Sequence, residues 1–184
     1  MMPSHTPKQI IEFWFSKESR SKWFASTPEY DQMLLDHFEN IWKDAESGKL
    51  DDWLNTPEGC LALAIILDQL PLNMFRGTAK SFQTEAKAIK TSKVAIANSF
   101  QDKIPIEQRA FLYMPLMHSE NIDDQDDVVN LFEKDGLDSN LRFAKHHREL
   151  IRKFGRFPHR NAILGRENTD SELIYLNSKE AFTG

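Results

Sequence analysis

The sequence predicts an all-α fold, a compact array of packed helices. Three observations carry that expectation. Glycine is scarce, 7 in 184 residues, which disfavours the turn-rich chains of all-β proteins. The pair Thr-Pro recurs at Thr6-Pro7, Thr27-Pro28 and Thr56-Pro57. Each time it stands where a helix would start, a hydroxyl at the N-cap followed by proline at the first helical position. Apolar residues then return every three or four positions along most of the chain, and no strand or hairpin pattern interrupts them.

The first helix starts at Pro7. A second runs from Pro28 to about Ala45, with Tyr30, Leu34, His37/Phe38, Ile41 and Ala45 at helical spacing and Gly48 as its stop. Residues 57–70, PEGCLALAIILDQL, are apolar nearly all round, which predicts a central buried helix ended by Pro71. A further amphipathic helix is predicted over 79–100, its inner face made by Phe82, Ala86, Ile89, Ile96 and Phe100, with Lys93 inside the stripe. Pro105 opens the next helix, and Pro115 should kink or end it. Helices follow from about Asp123 to Lys134 and from Ser139 to Phe154. The latter carries a stripe of Phe143, His147, Leu150 and Phe154, with Gly155 just past its end. Thr169-Asp170-Ser171-Glu172 is a capping box for the last helix. Nothing resembling a linker or low-complexity segment appears, so seven to nine helices are expected in one domain spanning 1–184.

A net charge of −5 makes broad attraction to nucleic acid or an anionic lipid surface unfavourable. No apolar run reaches the ~18 residues of a membrane span. The opening residues, MMPSHTPKQIIEFWF, lack a basic stretch leading into a long apolar one, so a cytoplasmic protein is expected. Cys60, the one cysteine, has apolar neighbours and reads as a small buried hydrophobe.

Three segments place polar residues inside strongly apolar surroundings. In LDQLPLNMFRGT, Asp68 extends the stripe of Leu61 and Ile65, so its carboxylate needs a partner. Arg76, Arg156 or Arg160 can supply one; Asp68 then either braces the turn after Pro71 or belongs to a site. In FLYMPLMHSENIDDQ, His118, Ser119 and Glu120 lie where Pro115 disturbs a helix, while Ser119 or Asn121 is equally suited to cap the next one. In KHHRELIRKFGRFPHRN, His147 sits among apolar neighbours. Phe157 precedes a proline and should be extended, so Arg156, His159 and Arg160 project from irregular backbone. The spacing has no H-E-x-x-H and no cysteine pairs, so no metal site is expected, and no glycine-rich nucleotide loop suggests a cofactor. Guanidinium groups suit carboxylate or phosphate, which makes Arg76, Arg156, Arg160 and Arg166 the natural anion ligands, with Asn73 and Asn161 as neutral partners.

GKLDDWLNTPEGCLALAIILDQLPLNMFRGT, FLYMPLMHSENIDDQ and FGRFPHRNAILGR together resemble the largely bacterial domain-of-unknown-function family 924, over nearly the whole chain. The resemblance implies an all-helical, tetratricopeptide-like arrangement and brings no activity with it. Leu72 stands where the family commonly has arginine, while Asp68, Gln69, Pro71 and Asn73 match.

Three functions follow. The first is binding of a small anionic molecule or an acidic peptide end in an inter-helix pocket lined by Asp68, Asn73, Arg76, His118, Glu120, His147, His159, Arg160 and Asn161. The second is a hydrolase or lyase with His118 or Glu120 as general base. The third is a protein–protein adaptor using Trp14, Trp23 or Trp53 as anchors, provided they are exposed. The oligomeric state is left open.

Overall fold

The computed structural model describes residues 5–182, and no strand occurs among them. The helices are α1 (Pro7–Trp14), α2 (Lys17–Arg20), α3 (Pro28–Glu46), α4 (Pro57–Ala64), α5 (Leu70–Met74), α6 (Glu85–Ala97), α7 (Ile106–Met117), α8 (Ile122–Lys134), α9 (Asp138–Phe154) and α10 (Asp170–Leu176). All three Thr-Pro pairs do what their chemistry suggests: Thr6, Thr27 and Thr56 each accept the backbone N–H of the residue three positions on. The chain divides into two compact units. One takes the residues up to Arg76 and again Lys80–Pro115; the other takes Gly77–Ala79 and the described residues from Leu116 onward.

The first unit is built around the rod that begins at Pro57. Every residue from Gly59 to Pro71 is buried, as the all-round apolar sequence requires. Pro71, however, does not end the rod. Ile65–Gln69 form a π turn in which the Leu70 N–H reaches back five residues to the Ile65 carbonyl. Helix then continues through Pro71 to Met74. Proline cannot donate to the Leu67 carbonyl, and the Thr84 hydroxyl takes that acceptor instead at 2.6 Å. Thr84 also accepts the Trp42 indole N–H at 3.1 Å, which ties α3 to the same point.

The stretch after Arg76 departs from the helix expected over 79–100. Ala79–Phe82 form a short 3-10 turn and α6 begins only at Glu85. Its buried face is Ala88, Thr91, Ser92 and Ala95, while Ala86 and Lys93 are exposed. Small residues win because α6 packs against α4, and close approach of two helices leaves no room for large side chains. Trp14 is buried at 1% exposure and edges onto Phe111, so it packs the core and is not a surface anchor. Trp23 and Trp53 are partly buried.

The second unit pairs α8 with α9 and adds the loop and α10 that follow. Asn121 caps α8 by accepting the Asp123 N–H. Helix α7 runs past Pro115 to Met117. The carbonyls at its end are gathered by one fully buried side chain: Gln125 Nε2 donates to Met117 O at 2.8 Å and Ser119 O at 2.7 Å, with Leu116 O at 3.4 Å. On α9 the inner face is Ala144, His147, Leu150 and Ile151. Phe143 is 50% exposed, against the stripe expected from spacing, because Ala144 is the residue that turns inward. The core of this part is Leu150, Ile151, Phe157 and Tyr175, with Phe154, Leu176 and Phe182 packed on it.

Candidate functional site

The segment FGRFPHRNAILGR is shaped by local rules. Gly155, at φ +71°, ends α9 in the left-handed region that glycine enters without strain. Phe157 is extended ahead of Pro158, as a pre-proline residue must be, and Pro158–Arg160 make a 3-10 turn. Gly165, at φ +65°, turns the chain again, and the Arg166 N–H closes on the Asn161 carbonyl at 2.8 Å.

Inside this loop the charged groups pair with one another. Glu120 accepts Arg166 Nη1 on Oε2 at 2.7 Å, and Arg166 Nη2 on Oε1 at 2.9 Å. The Phe157 backbone N–H donates to Oε1 as well, at 2.8 Å. Arg166 also donates through Nε to Asn161 Oδ1 at 2.9 Å and through Nη2 to the Phe157 carbonyl at 3.1 Å. Asn161, fully buried, passes its own amide to Asn168 Oδ1 at 2.7 Å. Burial pushes the Glu120 carboxyl up, yet the Arg166 hydrogen bonds, the Phe157 N–H and the charges of Arg166 and Arg160 outweigh it and hold Glu120 below the usual carboxylate range. A second fork lies alongside: Arg156 donates to both oxygens of Glu172 at 2.7 and 2.8 Å. Glu172 simultaneously closes the α10 capping box through the Thr169 N–H. Those bonds, Arg156 foremost, lower its carboxyl to about 2 against the opposing effect of burial.

Arg160 is buried; it donates Nη2 to the His118 carbonyl at 2.9 Å and sets its guanidinium 4.7 Å from the Phe157 ring centre. His147 is buried with Nδ1 2.8 Å from the Phe143 carbonyl, so Nδ1 carries the hydrogen when the ring is neutral. Burial pushes its pKa down to about 3, although that hydrogen bond works the other way. His159 is lowered to about 4, first by burial and then by the Arg160 charge, with Glu120 pulling upward. His159 Nδ1 is buried and has no hydrogen-bond partner among the described residues. The ring lines a cleft of about 280 Å³ with Pro158, Ala162, Asn168, Leu176 and Phe182.

His118, Glu120, His147, His159, Arg160 and Asn161 therefore all belong to the second unit, and Glu120, Arg160 and Asn161 share one hydrogen-bonded loop with Arg166. Asp68, Asn73 and Arg76 belong to the first. There Asp68 accepts Gln69 Nε2 at 2.6 Å, and Asn73 donates to the Gln69 carbonyl at 3.1 Å. Arg76 donates Nη2 to Asn73 Oδ1 and Nε to Asp31, both at 2.7 Å. Asn168 and Phe182 line the cleft without having stood out in the sequence. Asn168 lies in a polar run that reads as loop, and Phe182 follows the last helical pattern, so neither carried a signal. Among the described residues no group of three or more His, Cys, Asp or Glu side chains is arranged to hold a metal ion. Among the described residues no helix is long and apolar enough to cross a membrane.

Fold and site together define an all-α protein in which an ion-paired loop stands beside a small histidine-lined cleft. The chain belongs to the family described as bacterial protein of unknown function, DUF924, which matches residues 10–180. It is similar to the solved structure of a protein of unknown function, ATU0120, from Agrobacterium tumefaciens. The two are 37% identical with a TM-score of 0.87, over 93% of this chain and 96% of that one. Among curated proteins there is no match.

Proposed function

We propose that the protein binds a small anionic molecule in the cleft of the second unit. The observation that carries this reading is His159. Its ring lines the cleft, and among the described residues its Nδ1 is closed off from solvent without a hydrogen-bond partner, a cost that is relieved when a neighbouring wall of the cleft shifts and lets a ligand oxygen reach it. The ring stands in a positive potential, since Arg160 lowers its proton affinity more than Glu120 raises it. A neutral Nδ1–H tautomer donates to a carboxylate or phosphate oxygen, and an arriving negative charge is stabilised by the same field. Apart from Asn168, the remaining walls, Pro158, Ala162, Leu176, Ala181 and Phe182, are apolar and suit a short hydrocarbon body.

Glu120 fits the general-base reading poorly, because both its oxygens are engaged and its proton affinity is depressed. The adaptor reading rests on the tetratricopeptide-like resemblance alone. Thermal-shift measurements with a panel of small carboxylates and phosphates test the proposal. A compound that raises Tm in the unaltered chain and in Lys93→Ala, but not in His159→Ala, supports it. A panel in which every anion leaves Tm unmoved overturns it.

A further inference from the structure

The segment following α10 folds back so that the Phe182 ring enters an aromatic box. Its centre is 4.8 Å from His147, 5.1 Å from His159 and 6.1 Å from His146, with ring planes inclined at 66°, 75° and 60°. Phe157 backs the box, 5.3 Å from His147 and 5.6 Å from His159. Steeply inclined pairs at these separations are the arrangement aromatic rings prefer, so the box selects for a flat ring over an aliphatic chain. The same Phe182 is also a wall of the 280 Å³ cleft, next to Ala181.

The fastening of this segment is local. The Phe182 N–H donates to Tyr175 Oη at 2.8 Å, the Ala181 N–H to the Ser178 carbonyl, and the Glu180 N–H to Ser178 Oγ. Ser178 in turn bonds to the Tyr175 carbonyl. All of these bonds lead back to the last turn of α10. What attaches residue 182 to α9 and to the Pro158–Arg160 turn is the ring itself.

We propose that this box is a subsite for an aromatic ring, that Phe182 is its resident and displaceable occupant, and that the ligand class of the cleft is an aromatic acid whose ring takes the place of Phe182 while its anion faces His159. The inference deepens the anion-binding reading and rests on it. Segment and ligand compete for one space, so leaving the box empty raises affinity for a ring.

The test uses the full chain with a 4-fluoro label on the Phe182 ring, followed by fluorine NMR, and the Phe182→Ala variant beside it. The probes are phenylacetate, benzyl alcohol and acetate. Phenylacetate is expected to move the fluorine resonance saturably towards its solvent-exposed position, and to bind Phe182→Ala at least ten-fold more tightly than the unaltered chain. Acetate should show no such gain. Ring probes that bind both proteins equally, or that saturate with the resonance unmoved, overturn the proposal. If benzyl alcohol displaces the ring as well as phenylacetate does, the aromatic subsite stands and the anion reading falls. If acetate raises Tm in the unaltered chain but not in His159→Ala while neither ring probe binds, the anion reading stands and the aromatic subsite falls.

Discussion

The Glu120 carboxylate and the Arg166 guanidinium meet side by side, 46 residues apart in the chain, through two hydrogen bonds of 2.7 and 2.9 Å. Each side chain keeps about a quarter of its surface in water, 26% and 23%. This pair joins the residues after α7 to the loop after α9, and the Phe157 N–H completes it.

Removing one partner leaves the other charge about three-quarters buried and without its ion-pair partner. Arg166→Met and Glu120→Gln are each expected to lower stability by about 2–3 kcal/mol, below the full range for breaking a buried pair because water still reaches both groups. Urea unfolding measures it. The double variant should lose clearly less than the sum of the two, since both remove the same interaction.

Acid should weaken the fold in a window set by the buried histidines. His147 and His159 have folded-state values near 3 and 4, below the ordinary value near 6.5. Depressed values mean that the unfolded chain takes up protons first, so their stabilising contribution is complete above pH 6.5 and shrinks as pH falls. His118, His146, Arg160 and Arg166 oppose protonation there, and Glu120 favours it. His147 alone is expected to remove about 1–2 kcal/mol between pH 6.5 and 5, the slope rising from half of about 1.36 kcal/mol per pH unit at pH 6.5 towards the full value at pH 5. His147→Gln, which retains a donor for the Phe143 carbonyl, should flatten that slope in urea melts recorded across the range.

Gln125 serves three carbonyls at the end of α7 with one amide, at zero exposure. Gln125→Leu keeps the bulk and deletes the donor. The expected loss is about 2–3 kcal/mol, the desolvation cost of acceptors left without partners. Hydrogen exchange on α8 should accelerate in step with the fall in Tm.

Thr84 performs a similar service in the first unit, donating to the carbonyl that Pro71 cannot serve and accepting from Trp42. Thr84→Val removes both bonds without changing shape, and about 1–3 kcal/mol should be lost. Because Trp42 Nε1 loses its acceptor, a shifted indole emission in the folded protein reports that the change is local. Unchanged stability and emission would mean that Thr84 does not hold the rod at Pro71.

Much of the helical layout is legible in the sequence because its signals are local. A threonine hydroxyl reaches an N–H three residues on, a glycine enters the left-handed region, and a Thr-x-x-Glu box closes on itself without help from elsewhere in the chain. The expectation failed where tertiary packing chose between local alternatives. Pro71 reads as a stop until Thr84 supplies the missing donor. The 79–100 stripe reads as bulky until α4 demands small residues. Phe143 reads as inward until Ala144 takes that place.

The site divides along the same line. The sequence by itself determined that histidines and arginines would cluster around the Phe157-Pro158 bend, since pre-proline geometry and two glycines leave that backbone irregular. Only the tertiary structure decided that Glu120 is answered by Arg166, that Glu172 serves Arg156 and a helix cap at once, and that Phe182 fills the box beside His159. A hydrogen bond or a ring contact acts over a few ångströms of space. Which side chains share those few ångströms is set by packing of the whole chain, and spacing along the sequence does not encode it.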